Sequence, residues 1–292
     1  MIAAGHPFDW HLHAFWLLAL LGLAAGSVWA TRQPGNAATA RQKFLFVCGV
    51  VLLAAALTWP LGDLASHSLL MALVLQRLLL TLAVPPLLVL GTPRPVIARL
   101  TRPTAVDAVL RVAVRPAPAV VIVTVVAVGT LTVGAVNLAA QSLAARVAIQ
   151  LLVLASGFVL WAPVLTELPG AQRLSALGRG GYLIVQSIVP SFLSIVWIFA
   201  RHPLYPAFTH NGKIAGMTPL LDQELAGFLA KLSTIAVLWT VAFVIMTRAQ
   251  AAETAGHDGE PLVWSDVERE IERADRRERR QGSPGPPPPG SS

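Results

Sequence analysis

The 292 residues contain one cysteine, Cys48, which excludes an internal disulfide and any cluster of thiolate ligands. It falls within an apolar stretch, where packing explains it better than a ligand role. Charge is also scarce. Asp, Glu, Lys and Arg make up 13% of the chain against 55% hydrophobic residues, and the mean hydropathy is positive, which excludes an ordinary soluble domain. No Lys or Arg precedes Arg32. The first apolar stretch therefore lacks the basic region of a secretory signal, and we expect it to remain in the mature protein. There is no nucleophile motif and no phosphate-binding loop, since the glycines from Gly178 to Gly181 lie in a short basic linker. The expectation is an integral membrane protein that is not an enzyme and has no catalytic residue.

Long apolar runs are what the chain has instead. A helix needs about 20 apolar residues to cross the hydrocarbon, because a backbone in lipid must satisfy its own hydrogen bonds. Seven runs qualify, near 12–30, 44–59, 68–90, 117–136, 147–165, 183–200 and 225–247, and predict an all-α fold of seven transmembrane helices. Pro190 predicts a kink in the sixth, its freed carbonyl satisfied by neighbouring helices. The connections alternate in charge. The first, third and fifth hold Arg32, Arg41 and Lys43, then Arg94, Arg99, Arg102, Arg111 and Arg115, then Arg173 and Arg179. The N-terminus and second connection have none, the fourth has Arg146 at its edge, and the sixth has Arg201 and Lys213. Because cations are retained on the cytoplasmic side, this predicts the N-terminus outside and the C-terminus inside. The net charge of +7 then reflects retention and the anionic inner leaflet, with the lipid bilayer as partner and no nucleic acid implied.

The composition changes after Thr247. Residues 253–280 interleave acids with arginines, and 282–292 are Gly, Pro and Ser only. The domain reading is a seven-helix region over 1–248, a partly helical charged cytoplasmic tail over 249–281 and a disordered end over 282–292. Glu272 with Arg276, and Asp275 with Arg279, have the spacing that lets opposite charges meet on one helical face.

Polar residues near the outer face carry the functional information, since ionisable groups at membrane depth are costly. His6, His11, His13, His67, His202 and His210 all fall in or beside outer connections; His257 alone does not. Asp9, Asp63, Asp222 and Glu224 share that side. Imidazole and carboxylate suit zinc, copper or iron, which makes His67, His202 and His210 candidate metal ligands. The alternative is that these histidines are tolerated where water reaches them. Arg77, Arg146, Asp222, Gln223, Glu224 and Lys231 form a second candidate set. Each of its cations needs a partner, and Asp222 or Glu224 could receive Arg77 across a helix interface. Gly227 and Ala230 would permit close helix approach.

Several strings are recognisable together: Trp59-Pro60-Leu61, Val84-Pro85-Pro86-Leu87-Leu88-Val89-Leu90-Gly91-Thr92-Pro93, Leu204-Tyr205-Pro206 and Leu221-Asp222-Gln223-Glu224-Leu225-Ala226-Gly227. Over most of 10–248 they resemble the CtaG-like family of cytochrome c oxidase assembly factors. That resemblance implies a seven-helix protein of the cell's plasma membrane that matures a haem-copper oxidase, with copper as the implied metal and oxidase subunits or another assembly factor as partners. It also implies a His-x-x-x-His pair upstream of Pro85-Pro86 and another before Gly157 and Trp161. Those positions hold Leu73 and Arg77, with Gln76 between, and Arg146 and Gln150. Arginine stays protonated and cannot be a ligand, so Arg77 and Arg146 are expected to supply positive charge where the family holds a cation. Two other classes compete. One is a seven-helix transporter or channel with Arg77, Lys231 and Asp222 along an anion or proton path. The other is a scaffold docking a cytoplasmic partner through 266–280.

Overall fold

The structure, a computed structural model, describes residues 14–165, 174–209, 216–257 and 272–273. Contacts divide the chain into two units, Met1–Ile245 and Met246–Ser292. Every described element is helical. In order they are α1 (Ala14–Arg32), α2 (Ala40–Leu57), α3 (Leu61–His67), α4 (Leu70–Leu78), a π-helical segment (Leu79–Ala83), α5 (Val84–Gly91), α6 (Arg94–Leu100), α7 (Thr104–Ala113) and α8 (Pro116–Thr130). Then follow α9 (Val133–Gln141), α10 (Leu143–Trp161), α11 (Ala176–Phe199), a 3₁₀ turn (Pro206–Phe208) and α12 (Pro219–His257). In the second unit, the end of α12 and residues 272–273 are described as helix; Asp275, Arg276 and Arg279 lie outside the described residues.

Six helical stretches are long and apolar enough to cross a membrane: α1, α2, α4 through α5, α10, α11 and α12. The bent pair of α7 and α8 brings the number to as many as seven. The exposed surface is strongly apolar, with Leu18, Leu21, Phe44, Phe192, Leu232 and Phe243 outward, as lipid-facing positions should be.

One expected helix is different. The run over 117–136 is not continuous: α8 stops at Thr130, and α9 begins after Thr132, whose hydroxyl accepts from Ala135 N–H. At 15 residues α8 is about 22 Å long, short of the hydrocarbon thickness. Its last carbonyls therefore end inside the protein and need donors. Pro190 stands within α11 with helix on both sides.

The prolines of the long span from α4 to α5 dictate the packing around it. Pro85 and Pro86 lack N–H groups, and their rings crowd the preceding turn. The chain widens there into the π segment, in which Val84 N–H reaches back five residues to Leu79 O. Thr81 O has Pro85 at the α-helical position and Pro86 at the π-helical one, so neither can donate to it. Trp161 Nε1 supplies the missing bond at 3.0 Å. A residue without a side chain is needed beside this bulge. A Cβ on Gly157 would lie 2.7 Å from Leu80 O and 2.8 Å from Pro85 Cγ. Gly157 and Trp161, one turn apart on α10, thus let that helix close on the proline bulge and complete its hydrogen bonding.

Pro60 repeats the arrangement. It leaves Ala56 O at the end of α2 without its donor, and Gln76 Nε2 of α4 fills the place at 2.7 Å. Close packing of α12 on α11 follows from Gly227, where a Cβ would meet Ser194 O at 2.9 Å and Trp197 Cβ at 3.2 Å. Ala226 beside it is fully buried.

Candidate functional site

Six helix ends meet at one end of the bundle: those finishing α2, α8 and α11 and those starting α4, α10 and α12. A helix start leaves free N–H groups and a helix finish leaves free carbonyls, with partial charges to match. The buried polar side chains there bond to these ends. Asp222, at the start of α12, is buried and accepts from Leu70 N–H at 2.6 Å and Met71 N–H at 3.0 Å, the first two donors of α4. A carboxylate at a helix N-terminus is favourable both as hydrogen-bond acceptor and as charge.

Arg77 does the converse for α8. Its guanidinium is buried, donating through Nη1 to Thr130 Oγ1 at 2.6 Å and through Nη2 to Thr130 O at 3.0 Å. Arg77 lies seven residues into α4, about 10 Å along it, the depth at which α8 ends. The next carbonyl, Leu131 O, accepts from Tyr205 Oη at 2.7 Å, and that hydroxyl accepts from Trp197 Nε1 at 3.2 Å. Burial pushes the Tyr205 phenol above its ordinary pKa, while the Trp197 hydrogen bond and the Arg77 charge act in the opposite sense. Tyr205 is therefore held as the neutral donor that Leu131 O requires.

Arg146 serves α9, donating from Nε to Ala139 O at 3.1 Å. Gln223, almost wholly buried, bridges α11 to the chain beyond it: Nε2 donates to Trp197 O at 3.3 Å and Oε1 accepts from Leu204 N–H at 2.7 Å. At the other end of α11, Tyr182 Oη donates to Leu160 O near the end of α10 at 2.8 Å and accepts from Gln186 Nε2 at 2.8 Å.

The expected bond from Arg77 to Asp222 or Glu224 is replaced by these helix-end contacts; among the described residues no ion pair joins them. The structure does bring Arg77 to Arg146. Both line a cavity of about 30 Å³ together with Ser66, Leu73, Gln76 and Gln150. The four positions at which the family resemblance implies histidines, 73, 77, 146 and 150, therefore face one space. Gln150 Oε1 is buried there without a hydrogen-bond partner among the described residues. The cavity has room for one or two waters, the usual partner of such a group. A larger apolar groove of about 110 Å³ lies on the other side of Arg77, between α4, α8, α10, α11 and α12.

The donor set does not fit copper in this cavity. Two guanidinium groups remain protonated, and the rest of the wall is two amides, the Ser66 hydroxyl and apolar side chains. Among the described residues no three His, Cys, Asp or Glu side chains converge on a point. Of the candidate metal ligands, His202 is exposed in the chain after α11. His67 is the last residue of α3 with its side chain outside the described set, and His210 lies outside the described residues, as do His6, Asp9, His11 and His13. Glu224 and Lys231 are half-buried on α12 and form no hydrogen bond or ion pair among the described residues.

The family model for the cytochrome c oxidase caa3 assembly factor, Caa3_CtaG, matches residues 10–251. The chain belongs to this family. Comparison with curated proteins and with solved structures returned no match. The family strings now have structural work assigned to them. Pro85-Pro86 makes the bulge, Gly157 and Trp161 accommodate it, Asp222 starts α4, Gln223 closes α11, and Tyr205 finishes α8. Sequence reasoning singled out the charged members and named Tyr205 and Trp161 with the family strings, but it missed Thr130 as the partner of Arg77 and the carbonyls to which Tyr205 and Trp161 donate. One signal was available: a proline at membrane depth leaves an orphan carbonyl four residues earlier, which calls for a donor such as Trp161 or Gln76.

Proposed function

We propose that this chain assists the assembly, including maturation of the copper centre, of a haem-copper cytochrome c oxidase in the plasma membrane, and that it acts through protein contacts within the bilayer and not as an enzyme. The family match across 10–251 carries the reading. The chain crosses the membrane seven times with α8 as the fourth crossing, its N-terminus outside and its C-terminus inside, in keeping with the arginine-rich connections. Its partners are the lipid bilayer and oxidase subunits or another assembly factor.

The polar cavity at Arg77 and Arg146 supports a division of labour. Of the four positions at which the family resemblance implies metal-binding histidines, two here hold arginines that bond helix ends and the others hold Leu73 and Gln150, so the core does not store the metal. Where copper is handled directly, the outer histidines His67, His202 and His210 are the residues to hold it. The test is the copper content of purified protein after exposure to Cu(I), Cu(II) and Zn(II), compared with a variant lacking those three histidines. One tightly held copper per chain in the wild type, lost in the variant, supports copper handling at the rim. Copper held equally by both would overturn this division of labour, and assembly acting through contacts alone predicts none in either.

A further inference from the structure

The connection from α5 to α8 is strongly basic and lies open. Residues 94–115 carry Arg94, Arg99, Arg102, Arg111 and Arg115 against one acid, Asp107, and all five arginines are exposed. Asp107 pairs with Arg111 one turn along α7, which leaves four cations without a carboxylate among the described residues. Arg99 donates to Gln33 Oε1, so α6 sits beside the turn that follows α1, where Arg32, Arg41 and Lys43 add to the same basic rim.

The shape of α7 says what this charge faces. Ten residues make a helix of about 15 Å, too short to cross a bilayer, and α7 is bent by 100° from α8. A helix at that angle to one that runs along the bundle lies across its end. Its faces are sharply divided. Thr104, Asp107 and Arg111 share a narrow polar arc, and the opposite arc is apolar. One edge of the apolar arc packs on the protein, with Ala113 and Val114 buried and Leu110 against the core. The other edge is open, with Val109 62% exposed and Val112 exposed beside it. Leu100, at the end of α6, is 64% exposed between Arg99 and Arg102. Apolar residues open on one side and arginines on the other are the pattern of a helix lying in the interface plane.

We propose that 94–115 is an in-plane anchor that binds the anionic phospholipid headgroups of the leaflet at this end of the bundle. Val109, Val112 and Leu100 enter the boundary of the acyl region. Arg94, Arg99, Arg102 and Arg115 contact phosphates above it. Charge selects this occupant: four guanidinium groups that no carboxylate among the described residues compensates, flanking exposed aliphatic side chains, match a surface that is anionic and oily at once.

Two measurements on the full chain in phospholipid nanodiscs test this. The first is the preference for spin-labelled phosphatidylglycerol over phosphatidylcholine in the immobilised lipid shell. Replacing Arg94, Arg99, Arg102 and Arg115 with Gln should lower that preference about fivefold or more, and replacing the same four with Lys should retain it. An unchanged preference in the Gln variant, or equal loss in the Lys variant, overturns the proposal. The second measurement does not depend on those variants. In a Cys48→Ala background, nitroxides are attached through Val109→Cys and Thr104→Cys. Oxygen-accessible, acyl-depth behaviour at 109 with water-accessible behaviour at 104 supports the anchor. Water accessibility at both positions overturns it, as would be found if the segment waited for an acidic soluble protein.

Discussion

Arg77 and Asp222 are buried charges of opposite sign, each satisfied by the end of a different helix. The arrangement makes each side chain necessary to a helix other than its own. Arg77→Met should lower stability by about 2–3 kcal/mol, the scale of hydrogen bonds to a charged group, measured as thermal unfolding in detergent. Arg77→Lys should recover only part, because a point ammonium cannot reproduce the two-pronged contact with Thr130 Oγ1 and Thr130 O. Wild-type stability in Arg77→Met would refute the capping role. Tyr205 gives a pH signature. Its native pKa is raised above the ordinary phenol value of 10.0, so the fold favours the neutral hydroxyl. That contribution is full below about pH 10 and is lost as pH rises through the higher native value. Melting temperature should therefore fall more steeply above about pH 10 in wild type than in Tyr205→Phe. Parallel curves would exclude the Tyr205 bond to Leu131 O as the source.

At the scale of elements, the proline bulge couples α4, α5 and α10. Trp161→Phe should cost about 1–2 kcal/mol by leaving Thr81 O unpaired. In a Pro85→Ala, Pro86→Ala background the helix can supply its own donors, and most of that cost should vanish, giving a coupling of about 1 kcal/mol in a double-mutant cycle. Additive effects would contradict the assignment. Gly157→Val should be destabilising by about 1–3 kcal/mol, because the added carbons meet Leu80 O and Pro85. The positions of the apolar helices were legible in sequence: the expected second run at 44–59 is α2 at Ala40–Leu57, and the third at 68–90 is Leu70–Gly91. The break between α8 and α9 was not. Leu131 and Thr132 differ little in hydropathy from their surroundings, and what permits a helix to stop there is Arg77, more than 50 residues away. The charges of the site were likewise legible as anomalies at depth. Their partners were not, because backbone carbonyls and N–H groups leave no mark in a sequence.

For the whole molecule, the proposed topology of seven crossings with the N-terminus outside makes a direct prediction. In intact cells and a Cys48→Ala background, a membrane-impermeant thiol reagent should label a cysteine placed at the exposed His202 and spare one placed at the exposed Ala37. The opposite pattern would invert the topology. In the topology proposed from the arginine-rich connections, the six converging helix ends, with Asp222, Gln223 and Tyr205 among them, lie on the outer face, and the arginine-rich 94–115 segment faces the cytoplasmic leaflet. The most direct measurement is the amount of assembled oxidase, by haem and copper spectra of membranes, in cells lacking this chain and in the same cells supplied with it. An assembly factor predicts loss of the copper-centre signal without the chain and its return with it, whereas a full oxidase signal in its absence would contradict the function proposed.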